Sequence, residues 1–148
     1  MAWDPAREFE QQHPDVLVEY VDGLPVATGG AVRYRDRHGT VVLIDRRLTG
    51  PARRDALAHE LVHHQRDGGA AGGEHPRFRP DRIREEQRVA RITAERLVPT
   101  LDLQRYCDLH ADLGHGVCPD DVAREFEVTW PVACDALDNL TRFERGNQ

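Results

Sequence analysis

His59 and His63 stand four residues apart, and Glu60 directly follows the first, in the pentapeptide His59-Glu60-Leu61-Val62-His63. On an α-helix, positions four apart stack on one face. Two imidazoles so placed can hold a single zinc ion, and a carboxylate one residue after the first lies beside the water such an ion binds. The chemistry this spacing points to is zinc-assisted hydrolysis, with His59 and His63 as metal ligands and Glu60 as catalytic base. The competing reading of the same five residues is an amphipathic helix with merely polar, half-exposed histidines. The elements around the motif must therefore decide.

A helix is expected over residues 51–67. Thr49 can cap it, Gly50-Pro51 opens its first turn, Asp55 lies early where negative charge suits the helix dipole, and Asp67-Gly68-Gly69 stops it. Ala56, Leu57, Leu61 and Val62 supply an apolar stripe to seat it on a core. A third ligand is then needed. One zinc-peptidase pattern continues with Gly three residues and His six residues after the second histidine; Arg66 and Gly69 occupy those positions and exclude it. Another pattern takes a glutamate from a second helix. Residues 81–98 run without Gly or Pro up to Pro99 and offer Glu85, Glu86 and Glu95. Glu86 shares a face with Val89, Ala90 and Thr93, an uncharged stripe able to turn inward, and is preferred. Glu85 reads as a solvated charge beside Arg88 or Arg82, and Glu95 as a surface partner of Arg91.

At this point the chain resembles a known family. Ala58 to His63, followed by Glu86 through Ala94-Glu95-Arg96-Leu97-Val98-Pro99, is similar to the ImmA/IrrE metallopeptidases, in which an HExxH helix precedes a helix ending in Leu-Leu-Met-Pro or its like. Phe126-Glu127-Val128-Thr129 resembles the family's later Phe-x-Val-Ser segment, so the likeness spans roughly residues 53–140. The resemblance implies Glu86 as third zinc ligand, one zinc ion as cofactor, and a cytoplasmic protease that cuts a helix-turn-helix repressor in phage, mobile-element or stress circuits. Val89-Ala90 replaces the family's Ala-Asn pair and Ile92 its Phe. If the Asn orients a ligand, Ala90 cannot, and catalytic activity is the property this departure touches.

The expected fold is α+β: a small antiparallel sheet on a mostly helical zincin-like core containing the HExxH helix and the Glu-bearing helix. A single domain is expected over 1–148, with a helix and the sheet in 1–48, the two ligand helices in 49–99 and further helices in 100–148. Residues 5–12 read as a helix contacting the core through Trp3, Ala6 and Phe9. Residues 16–21 read as a strand, and 31–35 with 40–44 as a hairpin about Arg37-His38-Gly39-Thr40. No apolar run is long enough for a membrane span, the first residues do not read as a signal peptide, and three spaced cysteines suit a reducing cytoplasm. All 20 basic residues are arginine, which we read as codon bias.

The remaining candidates are weaker. His75, Tyr106 and His110 are alternatives for stabilising an oxyanion, and residues 68–73 read as a surface loop. His13, His38 and His64 read as surface groups. Cys107, His110, His115 and Cys118 have the residue types of a structural zinc site, but the four-residue spacer between the histidines is short for one. Residues 119–142 could pass for a DNA-binding helix-turn-helix. Against it, residues 130–139 carry Asp135 and Asp138 without an arginine, and the net charge is −6, which phosphates would repel.

Overall fold

The computed structural model describes residues 2–67 and 79–148. The elements are α1 (Pro5–Gln12), β1 (Leu17–Val21), β2 (Ala31–Asp36), β3 (Gly39–Asp45), α2 (Gly50–Arg66), α3 (Arg79–Leu97), α4 (Thr100–Asp112), α5 (Pro119–Phe126) and α6 (Trp130–Gly146), with a 3-10 turn at Val26–Thr28. The fold is α+β. The proposed loop at 68–73 and His75 lie outside the described residues.

The sheet has the order β1-β3-β2. β2 and β3 form the expected hairpin, with Asp36 opposite Gly39, and the Asp36 carboxylate accepts the His38 N–H at 2.7 Å. β1, however, runs parallel to β3, from Leu17 beside Val41 to Val21 beside Asp45. The sheet is therefore mixed, correcting the antiparallel expectation. Side-chain alternation tells which face a strand buries and carries no information on its direction. β3, with Val41, Val42 and Ile44 all buried, is the central strand, and its near-continuous apolar run suits a strand covered on both sides. The chain leaves β1 and returns to the opposite edge through Gly30, whose φ is +91°. The backbone there favours glycine, and a Cβ would meet Leu48 Cδ1 at 2.7 Å, a contact the Leu48 side chain must turn aside to relieve.

α2 is apolar on two sides. Leu57 and Leu61 join Phe9 of α1, Val16, Val42 and Ile44 in a cluster against the sheet. Ala58 faces a second cluster with Ala94, Leu97, Val98, Leu103, Val122, Val128, Ala133, Ala136 and Leu140 from the other helices. A helix wedged between two cores is held on both flanks, which suits an element that must present ligands in fixed positions.

The start of α2 does other work than expected. Thr49 occupies the N-cap position without a capping hydrogen bond from its side chain. Arg54 and Asp55 reach instead to the α5–α6 turn. Arg54 Nη1 donates to the carbonyls of Phe126 and Glu127 at 3.3 and 3.4 Å, and Glu127 takes the left-handed conformation, φ 53°. Asp55 Oδ2 accepts the Thr129 N–H at 2.7 Å. Burial is the main influence on Asp55 and pushes its carboxyl above the ordinary 3.8, against the Thr129 hydrogen bonds. A folded pKa above the unfolded one means its stability contribution is complete below pH 3.8 and is lost as pH rises through the folded value. Asp55→Ala, which orphans the Thr129 N–H, is expected to cost about 1–3 kcal/mol in urea unfolding at pH 7. Asp55→Asn keeps an acceptor and sheds the charge, so it is expected to cost less and to flatten the stability profile above pH 4.

Candidate metal centre

His59 and His63 lie one helical turn apart on α2 with ring centroids 4.8 Å apart. Both face Glu86 of α3. The His59 Nε2–H group donates to Glu86 Oε2 at 3.1 Å, and His63 Nε2 lies 3.0 Å from Glu86 Oε1. Among the described residues, these three form the only group of His, Cys, Asp or Glu side chains whose ligand atoms all lie within 4.8 Å of one another. Two imidazole nitrogens and a carboxylate oxygen are a donor set that suits zinc. The histidines are two-thirds or more buried, while the Glu86 side chain keeps 43% of its exposure, so the cluster opens to solvent on the α3 side.

The other glutamates go elsewhere. Glu85 accepts Arg66 Nε at 2.6 Å and has Arg88 at 3.9 Å; its principal partner is therefore an arginine of α2, beyond the neighbours expected on its own helix. Glu95 caps α4, accepting the Thr100 N–H at 3.2 Å and the Thr100 hydroxyl, instead of pairing with Arg91. These contacts also fix α3 against α2. Arg66 holds Glu85, while Arg96 donates to Gln65 at 2.7 Å and to both oxygens of Glu8 on α1, with its guanidinium 3.8 Å over the Trp3 ring.

The charges in the cluster are coupled. The hydrogen bond from His59, then that from His63, outweigh burial and hold Glu86 well below the usual carboxylate range. Burial disfavours charge on His59, but the Glu86 hydrogen bond and the nearby Glu60 and Glu86 carboxylates prevail and raise it above 6.5. In the metal-free protein, Glu86's contribution is full above its unfolded 4.5 and is lost only as pH falls through its depressed value. His59's contribution is full below 6.5 and is lost as pH rises through its raised value. The metal-free cluster is thus expected to stabilise the fold most between about pH 4.5 and 6.5. Zinc competes with protons for the same nitrogens, so its stabilising effect is expected to grow above that window. Thermal melts of metal-free and zinc-loaded protein from pH 4.5 to 8 measure both trends.

Glu60 is buried beside the cluster. Burial is the largest influence and raises its carboxyl, while His59, His63 and Arg33 pull it down. A carboxyl raised by burial yet beside the Arg33 cation is suited to taking up and releasing a proton. Arg33, on β2, was not found by sequence reasoning. Its side chain is 10% exposed, Nε is 4.0 Å from Glu60 Oε2, and Nη2 pairs with Asp67. A signal was present: in strand alternation Arg33 shares a face with Ala31, which packs on the sheet-side cluster, and it stands opposite the fully buried Val42.

One other expectation is corrected. His64 is 5% exposed and not on the surface; it packs on Phe9 and on the half-buried His13, at 4.9 Å between imidazole centroids. Positions 63 and 64 of one helix face different ways, and the side of α2 that His64 occupies is covered by α1. The Tyr106 and His110 rings meet at 4.4 Å with a 50° tilt, and Tyr106 also packs edge-on against Phe126; neither is a member of the metal cluster. The Cys107, His110, His115 and Cys118 array does not assemble: Cys107 packs on the helical cluster and Cys118 bonds Asp121 at the start of α5. No family model, no curated protein and no solved structure matches the chain. Among the described residues no helix is long and apolar enough to cross a membrane.

Proposed function

We propose that the protein is a zinc-dependent endopeptidase of the ImmA/IrrE type. Its substrate on this reading is a helix-turn-helix repressor of a phage, mobile-element or stress circuit, cut in the cytoplasm. The observation that supports it is the meeting of His59, His63 and Glu86 beside a buried glutamate that directly follows the first histidine. His59 Nε2, His63 Nε2 and the Glu86 carboxylate would hold one zinc ion. When bound, zinc supplies Lewis acidity, which acidifies a water and polarises a peptide carbonyl. Glu60 takes the proton from the attacking water onto its carboxylate, then gives it to the departing amine as the C–N bond breaks.

One observation favours a second reading. Ala90 stands where the family pattern has an asparagine, which points to a zinc-bearing partner that sequesters its regulator without cutting it. Both readings are separated by incubating the zinc-loaded protein with small helix-turn-helix regulators from the same source and following each regulator by mass spectrometry. Cleavage stopped by a chelator and restored by zinc is the result expected. A stable complex with an intact regulator would favour sequestration. Absence of zinc together with binding to duplex DNA would replace both by the DNA-binding reading.

A further inference from the structure

The guanidinium of Arg33 is nine-tenths buried, and its Nε and Nη1 have no hydrogen-bond partner. A buried cation is costly to retain unless neighbouring charges compensate it. Two carboxylates do so here, Asp67 through Nη2 and Glu60 at 4.0 Å from Nε, and both belong to the α2 side. Positions 60 and 67 differ by two helical turns and so lie on one face, the face that edge strand β2 approaches with Arg33. Asp67, which also caps the end of α2, anchors the guanidinium, and Glu60 receives its field. Among the described residues the Glu60 carboxylate accepts no hydrogen bond, and Arg33 is its sole ion-pair partner. A separation of 4.0 Å is an ion pair and too long for a hydrogen bond. Such a contact directs a carboxylate through charge and leaves its lone pairs open to a proton.

We propose that Arg33 is a positioning residue for Glu60, a strut from the sheet that orients the carboxylate toward the metal cluster while Asp67 holds the strut in place. This rests on the zinc-hydrolase reading. Arg33 touches none of His59, His63 or Glu86 by hydrogen bond or ion pair, so its role is separable from metal binding.

The test uses acetohydroxamate as probe, because a hydroxamate chelates zinc and hydrogen-bonds to an adjacent carboxylate, which makes its affinity a readout of Glu60 that needs no known substrate. Arg33→Met, Arg33→Lys and Asp67→Asn are made alone and combined with Glu60→Gln, and zinc content is measured for each. The expected result is zinc unchanged throughout. Arg33→Met weakens acetohydroxamate by about tenfold in the parent but has no effect in the Glu60→Gln background. Arg33→Lys retains affinity within about threefold, and Asp67→Asn shows the same selective loss to a smaller degree. Equal weakening with and without Glu60 would overturn the proposal and leave Arg33 as a structural residue. Loss of zinc on changing Arg33 would overturn it too, by tying Arg33 to the ligands. Should Arg33→Met fail to fold, the Asp67→Asn cycle decides by the same criterion. A parent protein that binds no zinc would remove the hydrolase reading itself, an outcome distinct from additive effects in a zinc-bearing protein.

Discussion

Glu86→Ala is expected to purify with far less than one zinc per chain, its affinity reduced by more than about 100-fold relative to the parent. The expectation follows from how few donors are present. Among the described residues only His59, His63 and Glu86 bring ligand atoms within 4.8 Å of one another, so removing one leaves two. The remaining pair, two imidazoles on one turn of α2, would hold zinc weakly because more of its coordination must come from water. His63→Ala is expected to behave alike, since its Nε2 lies against the same carboxylate. Glu85→Ala is the informative control. Glu85 supplies no ligand atom to the cluster, and the apolar cluster and the Arg96–Glu8 pair still dock α3 once the Arg66 pair is lost, so its loss should leave zinc content unchanged. Elemental analysis of protein purified without added metal measures all three. Equal zinc in the parent and in Glu86→Ala would remove Glu86 from the site. Zinc in none, even after reconstitution, would end the metallopeptidase reading.

Glu60→Gln separates chemistry from metal binding. Glutamine nearly matches the shape of glutamate but cannot accept a proton at neutral pH, so the site keeps its form and loses its base. Zinc content is expected to match the parent, while turnover of a cleaved regulator falls by about 10²–10⁴-fold, the range typical for loss of a positioned general acid–base group. Removing the charge relieves the burial cost that raises the Glu60 carboxyl but also takes one of two compensating charges from the buried Arg33, so the two effects oppose and the variant is expected to stay close to the parent in stability at pH 7. Single-turnover cleavage assays at matched zinc loading check the first effect. Urea unfolding checks the second. Retained cleavage in Glu60→Gln would assign proton transfer to another residue.

These two variants probe parts of the site that differ in how legible they were. The His59–Glu60–His63 spacing is a property of one helix, and 3.6-residue periodicity carries it directly from sequence to face. The same locality made α1, the β2–β3 hairpin and α2 readable, because each is announced by capping, turn and alternation within a few residues. Direction and partnership were not readable in that way. β1 has the composition of a strand, but whether it joins β3 in parallel depends on a connection and on the burial of a strand elsewhere in the chain.

The histidines and the arginine illustrate the same limit. The position of His64 one residue beyond the ligand predicts that it turns away from the ligand face, and so it does; α1 covers that side with Phe9 and His13. Asp55 was read as a dipole charge at the start of its own helix, and instead it serves the start of α6, far along the chain. Arg33 is ordinary in composition and unusual only in facing inward from an edge strand, a fact that acquires meaning once Glu60 lies 4.0 Å away.

By itself, then, the sequence determined a helix able to present two imidazoles and a carboxylate on chosen faces, since that depends on backbone geometry over a single turn. The uncharged face of α3 already favours Glu86 over Glu85 and Glu95, but that Glu86 meets those imidazoles is a property of the tertiary structure. Residue spacing defines the faces of α3, but the rotation and depth at which α3 docks on α2 come from two apolar clusters and from the Arg66–Glu85 and Arg96–Glu8 pairs, contacts between segments that no local pattern connects.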